Sequence, residues 1–391
     1  MKCLLVLPLW SESRSVDPAS GRPHLDLLLH CLGYTELVVR ELEPDSPFDP
    51  GDVDESFGLI LIQADCRNTY GRLRRSVLSN LGLSLGLDGQ ASDRLRVVGA
   101  RPLYDPSGIP SGFVIRRRGR IVAFFERPLW NLRMELIHVI RTLLHEEENF
   151  RRPRFDICWL VETHGQSLNL PPGTGDEDVS QYQVRPLPDG DSAIMMSSVI
   201  AEEFRNRFRA QLGTRLYALS PRPLEEICGQ MLKETKLTVA VAESCTAGLV
   251  ATRLSAVPGS SEYLMAGFIT YSNQAKNRHL DVADVLIERC GAVSPEVALS
   301  MARNALRAAN TDLAVAVTGI AGPGGGTADK PVGTVHLAAV SLKGITLEHK
   351  ANFNGSRDQI RFQASQTALH LLRRLTLEHR YPGSTQGKNN L

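Results

Sequence analysis

The stretch LTVAVAESCTAG, residues 237–248, decides how the chain is read. A run of small and β-branched residues stops abruptly at Glu243-Ser244-Cys245-Thr246, the pattern of a buried strand that turns directly into a helix, here expected over 246–255. That junction would place Ser244 beside the first free backbone N–H groups of the helix. Such groups stabilise an anion, or an oxygen that becomes negative during a reaction. The same Ser and Thr would equally serve as a plain helix cap. The neighbouring sequence has to discriminate.

Downstream, apolar strands and helices alternate with regularity. Strands are expected over 267–271 and 312–318, a helix opens at Ser294-Pro295-Glu296, and a hairpin about Lys343-Gly344 joins 331–341 to 345–353. A long last helix runs over 356–377. Open α/β sheets place their sites at strand ends, and three polar features fall there. In TYSNQAK, residues 270–276, Tyr271 and Lys276 stand five apart around a turn and can face one pocket; the alternative is a surface tyrosine and a solvated lysine. In TGIAGPGGGT, residues 318–327, five glycines in eight residues let backbone N–H groups converge on phosphate or carboxylate oxygens. This loop matches neither the Walker nor the dinucleotide pattern, and its candidate binding residues are Thr318, Gly319, Gly322, Gly324 and Gly325. Arg357, in the first turn of the last helix, opposes the helix dipole and suits a phosphate by its forked donors.

Upstream, residues 1–152 alternate as an α/β domain. Strands are expected at 2–9, 57–62, 94–98, 112–115 and 121–125, and helices at 25–32, 70–81 and 131–147. Residues 153–221 read as a small α+β connector, with strands at 155–162, 181–185 and 193–198 and a helix over 199–212, and no chemistry is visible in it. A helix over 224–235 leads into the opening stretch. The last residues, 381–391, read as a disordered tail.

Composition bounds the rest. The 391 residues suggest two or three domains, and 42 % hydrophobic with 22 % charged residues is ordinary for a globular chain. A formal net charge of +1 supplies no field to recruit nucleic acid or an anionic membrane. No apolar run approaches a membrane span, and residues 1–10 are too short for a signal peptide, so a cytoplasmic protein is expected. Seven scattered cysteines without paired spacing fit reduced thiols rather than disulfides or a zinc site.

Taken in order, Ala242-Glu243-Ser244-Cys245-Thr246, Thr270-Tyr271-Ser272-Asn273 with Ala275-Lys276, Gly291-Ala292-Val293-Ser294, Gly319-Ile320-Ala321-Gly322-Pro323 with Gly325-Gly326, and Lys330-Pro331-Val332-Gly333-Thr334 resemble the successive motifs of the CinA C-terminal domain, the nicotinamide mononucleotide deamidase family. Ala247 is a mild departure from the first motif. The resemblance implies a three-layer α/β deamidase domain over 222–380. It implies an amidohydrolase of pyridine-nucleotide salvage that converts nicotinamide mononucleotide and water to nicotinate mononucleotide and ammonia. Ser244 would be the nucleophile, with Tyr271 and Lys276 as its activating partners. Amides near Thr246 would hold the oxyanion, while the glycine loop and Arg357 grip the 5′-phosphate. No metal or organic cofactor is required, and a homodimer is implied. Cys245 and His279 stand as rival nucleophile and base, and a non-catalytic mononucleotide-binding or competence-associated scaffold is the alternative from another class.

The first domain resembles the molybdopterin-binding-like α/β domain that precedes the deamidase in full-length CinA proteins, through YDPSGIPSGF at 104–113 and PLWNLRM at 128–134. In that family it is associated with metal-dependent hydrolysis of ADP-ribose. Here QADCRNTY at 63–70, Arg72 and LWSESR at 9–14 replace the glycines and acids of that site, so the pyrophosphatase activity is expected to be lost.

Overall fold

The computed structural model describes residues 2–8, 36–42, 48–63, 76–81, 83–88, 91–104, 110–117, 120–125, 157–168, 182–187, 189–196, 200, 202–220 and 222–383. The chain forms two compact units, one of residues 1–156 with 196–198 and the other of 157–195 with 199–391.

The first unit holds strands β1 (Lys2–Pro8), β2 (Glu36–Leu42), β3 (Phe57–Gln63), β4 (Ser84–Asp88), β5 (Ala91–Val98), β6 (Arg101–Tyr104), β7 (Pro110–Arg117) and β8 (Arg120–Phe125). Six of them make one mixed sheet in the order β2-β1-β3-β8-β7-β6. The first four run parallel and the last two antiparallel. Ile60, Ile62, Val122 and Phe124 line its core with Phe113, whose ring stacks on Phe124 at 5.1 Å. Strands β2, β4 and β6 were not foreseen, being short or interrupted by charged residues. The helices expected at 25–32 and 131–147, and the altered loops at 9–14, 64–70 and 128–134, lie outside the described residues. Of the helix expected at 70–81, residues 76–80 are helical.

The second unit opens with a four-stranded sheet, order β10-β11-β9-β12, made of β9 (Ile157–Val161), β10 (Tyr182–Pro186), β11 (Ser192–Met196) and β12 (Leu216–Ala218). Helix α1 (Glu202–Leu212) lies between the third and fourth in sequence. The larger sheet follows, order β14-β13-β15-β16-β17, from β13 (Val239–Glu243), β14 (Leu264–Ile269), β15 (Leu313–Gly319), β16 (Thr334–Ser341) and β17 (Thr346–Asn352). β14, β13 and β15 are parallel, and β16 and β17 are antiparallel additions.

Helices cover both faces. α6 (Pro295–Ala309) packs Val297, Met301 and Ala305 onto Ala240, Ala314 and Ala338, with α4 (Asn273–Leu280) and α5 (Asp284–Cys290) beside it. The opposite face carries α2 (Leu224–Thr235), α3 (Leu249–Ser255) and the 24-residue α7 (Arg357–Arg380). A strand buried on both faces has no polar side to show, which is why β13 and β15 read as unbroken VAVA and LAVAV runs. The result is a three-layer α/β sandwich.

Charged side chains join the small sheet to α7. Arg373 donates to Glu162 at 2.9 Å, and His370 meets Asp191 at 2.8 Å. Burial alone would push both carboxyl groups up, but His370 beside each, with His164 and Arg373 at Glu162 and Gln366 at Asp191, holds them below the usual carboxylate range. This contact between residues 162–191 and the last helix had no counterpart in the local sequence pattern.

Candidate active site

Ser244 follows β13 directly, and its N–H donates to Val317 O of β15 at 3.0 Å. The chain does not enter a helix at Thr246 as expected. It passes through a turn in which Ala247 takes φ +50° and Gly248 φ +92°, and α3 begins only at Leu249. The amides at the start of α3 are already taken: the Glu243 carboxyl accepts from Gly248 N, Val250 N and Ala251 N at 3.0, 3.1 and 2.8 Å. Among the described residues, the amides of Cys245 and Thr246 donate to no backbone carbonyl. An oxyanion at Ser244 would therefore meet the turn rather than the helix terminus.

α4 supplies the second group. Ser272 caps it by accepting from Ala275 N at 3.0 Å, and this sets Lys276 on the inward face. Lys276 is 1 % exposed, and its Nζ lies 3.1 Å from Ser244 Oγ and donates to Thr270 O at 3.0 Å. No carboxylate pairs with it among the described residues. Burial brings its pKa below the ordinary 10.5, against a smaller opposing effect of Cys245. A lysine so placed can hold a lone pair toward a serine hydroxyl.

Ser244, Lys276 and Cys245 form the floor of a cleft of about 180 Å³. Thr318, Gly319 and Ala321 make one wall, Ala292 and Val293 another, and Tyr271, Asn273 and Arg357 the mouth. Thr318 is fixed by donating its hydroxyl to Ala292 O at 2.8 Å. The two rivals fare differently. Cys245 lines the cleft, but burial pushes its thiol up to about 12, so it stays protonated near neutrality. His279 is exposed and does not line the cleft.

Tyr271 and Arg357 are brought together, but not as expected. The Tyr271 hydroxyl, far from bonding Ser244 or Lys276, accepts from Arg357 Nη2 at 2.7 Å, while Arg357 Nη1 donates to Gly322 O at 2.6 Å. Arg357 thus ties the rim after β14 to the glycine loop. Of the glycine-loop candidates, Thr318 and Gly319 line the cleft; Gly322 does not, its carbonyl accepting from Arg357, and Gly324 and Gly325 are exposed and do not line it. Thr246 is buried behind the floor, its carbonyl accepting from Arg361 at 3.1 Å. Asn273, Ala292, Val293 and Ala321 were not named as site residues, although each sits inside a quoted motif.

The loop is held from outside the cleft by Lys330, whose Nζ donates to Cys290 O and Val293 O at 3.0 and 2.8 Å, and by Gly333. Gly333 has φ +96°, and a Cβ there would lie 1.8 Å from Phe353 O. Gly333→Ala is expected to destabilise the second unit by more than about 2 kcal/mol, read from thermal and denaturant melts of the variant.

Comparison with known proteins bears on the chain's family. The CinA C-terminal domain model matches residues 221–376. A competence-damage inducible protein of Moorella thermoacetica is 33 % identical over 288 residues, which cover 70 % of this chain and 68 % of that protein. The chain belongs to the CinA family. A CinA-like protein of Citrifermentans bemidjiense is 47 % identical over 176 residues, but these are 45 % of this CinA chain and only 42 % of that relative. The match to a Desulfotalea psychrophila CinA-like protein, at 46 % identity, likewise spans 41 % of the relative. Among solved structures, the competence/damage inducible protein CihA of Agrobacterium tumefaciens shares 42 % identity, covering 39 % of this chain and 96 % of its own, with a TM-score of 0.38.

Among the described residues of the CinA chain, no helix is long and apolar enough to cross a membrane, and no group of His, Cys, Asp and Glu is arranged to hold a metal. Cys3, Cys158, Cys228, Cys245 and Cys290 form no disulfide.

Proposed function

We propose that this CinA chain hydrolyses the carboxamide of nicotinamide mononucleotide, giving nicotinate mononucleotide and ammonia. The observation that carries the reading is the 3.1 Å contact between Ser244 Oγ and a buried lysine with no acidic partner among the described residues. In its neutral form Lys276 takes the Ser244 proton as Oγ attacks the amide carbonyl carbon. The oxygen that becomes negative is met by the backbone of the turn after Ser244, of which Cys245 lines the cleft. Collapse of the tetrahedral species returns the proton through Lys276 to the departing nitrogen, and ammonia leaves. Water then attacks the acyl-serine with Lys276 again as base, which frees the acid and restores the hydroxyl. The pyridinium ring withdraws electrons from the amide carbon, which suits a dyad with no metal.

Arg357 at the mouth supports a phosphate-bearing substrate. To meet the phosphate it would exchange its bond to Tyr271 or Gly322 for one to a phosphoryl oxygen. Tyr271 then acts through Arg357, as a positioning residue. Tyr271→Phe is expected to raise KM about 3- to 10-fold with kcat within about threefold, whereas a proton relay through Tyr271 would show as a kcat loss of about 100-fold.

The test is direct: purified protein is incubated with nicotinamide mononucleotide, and ammonia and nicotinate mononucleotide are measured. Stoichiometric release supports the amidohydrolase. Tight binding without release would replace it with a non-catalytic mononucleotide-binding protein.

A further inference from the structure

We infer that Glu243 is a positioning residue for Ser244, a role that rests on the reading of Ser244 as the nucleophile. Its buried carboxyl binds one residue before the nucleophile to three amides beyond it, at Gly248, Val250 and Ala251, five, seven and eight positions away. A helix is usually capped from the residue just before it. Here the cap comes from across the turn, so the side chain closes Ser244–Ala247 into a loop.

Outside that tether the loop is held by Val317 O at Ser244 N, by Arg361 at Thr246 O and by its own backbone. Ala247 lies at φ +50°, where side chains other than glycine are disfavoured, and Gly248 follows at φ +92°. Two backbone bonds support the turn, Ala247 N to Ser244 O at 3.1 Å and Leu249 N to Thr246 O at 3.2 Å. No cation pairs with Glu243 among the described residues; the three bonds to its carboxyl come from backbone donors. Two acceptor oxygens facing three N–H groups hold the turn in one shape. In that shape Ser244 Oγ sits 3.1 Å from Lys276 Nζ, and the Cys245 and Thr246 amides stay free of the helix. A displacement of about 1 Å between reacting groups is enough to cost roughly 100-fold in rate.

Glu243→Gln keeps the shape but turns an NH2 group toward amide donors. The readout is the rate at which a fluorophosphonate labels Ser244 in the full-length chain, followed by intact mass; the reagent forms an Oγ–P bond, releases fluoride and sends the serine proton to Lys276. With the fold intact by circular dichroism and melting, labelling is expected to slow by at least about 10-fold, and kcat to fall in parallel with KM within about twofold. Glu243→Asp, which keeps both oxygens but withdraws them by one methylene, is expected to lie between the two. Labelling of folded Glu243→Gln at the wild-type rate would overturn the role. If Glu243→Gln does not fold, Glu243→Asp is read by the same criterion, and collapse of both variants assigns Glu243 to the fold alone. A wild-type protein that is labelled at Ser244 but releases no ammonia from nicotinamide mononucleotide removes the substrate reading while the labelling comparison still decides on Glu243.

Discussion

Lys276→Met is expected to lower kcat for nicotinamide mononucleotide hydrolysis by roughly 10³-fold, within the range that a positioned general base contributes. Methionine is unbranched and of similar length but lacks the amine, which takes away the base beside Ser244 Oγ and the bond to Thr270 O. The wild-type pH profile carries the signature. Lys276 acts only when unprotonated, and burial has already brought its pKa below 10.5, so kcat/KM should rise with pH through that lowered value and fall away below it. Stability follows the same group. Between the lowered pKa and 10.5 the unfolded chain binds a proton that the folded chain does not, so folding is favoured progressively as pH rises across that window. Lys276→Met should flatten both dependences. A variant with wild-type kcat, or a wild-type profile with no such limb, would remove Lys276 from the chemistry.

Ser244→Ala is expected to reduce ammonia release by at least about 10³-fold with an unchanged fold, since the hydroxyl is removed from a site whose backbone is held by Val317 O and the Glu243 tether. Cys245 offers no substitute, because a thiol pushed up to about 12 presents almost no thiolate at neutral pH. Residues that act as one unit are not additive, so the Ser244→Ala, Lys276→Met double variant should be no slower than the worse single variant. Full activity in Ser244→Ala would refute the assignment outright. A double variant roughly 10³-fold below either single one would show that the two side chains work separately.

The elements that were legible are those whose burial leaves a one-dimensional trace. β13 and β15 are covered on both faces and carry uninterrupted apolar runs. α6 opens on Ser294, which accepts from Val297 N, followed by a proline in the first turn, and both marks are local. The start of α3 was misplaced because alanine does not announce a left-handed turn and because its cap comes from Glu243, not from the residue before the helix. The site shows the same division. Lys276 was named from its place in the TYSNQAK motif, but that its amine would reach Ser244 depends on α4 packing against the sheet. The bond between Tyr271 and Arg357 joins residues 86 positions apart, and no spacing rule connects them.

The pairing of the small sheet with α7 sets where this protein can be cut. The family match begins at residue 221, a natural place to start a fragment. Glu162 and Asp191 lie before that point, whereas His370 and Arg373 lie after it, 1 % and 4 % exposed. A fragment from 221 onward would keep His370 and Arg373 and lose both acids that face them, leaving these buried side chains without their partners along the helix whose first residue is Arg357. Shortened versions of the chain are therefore better begun ahead of Ile157, so that the acidic half of the seam travels with the basic half.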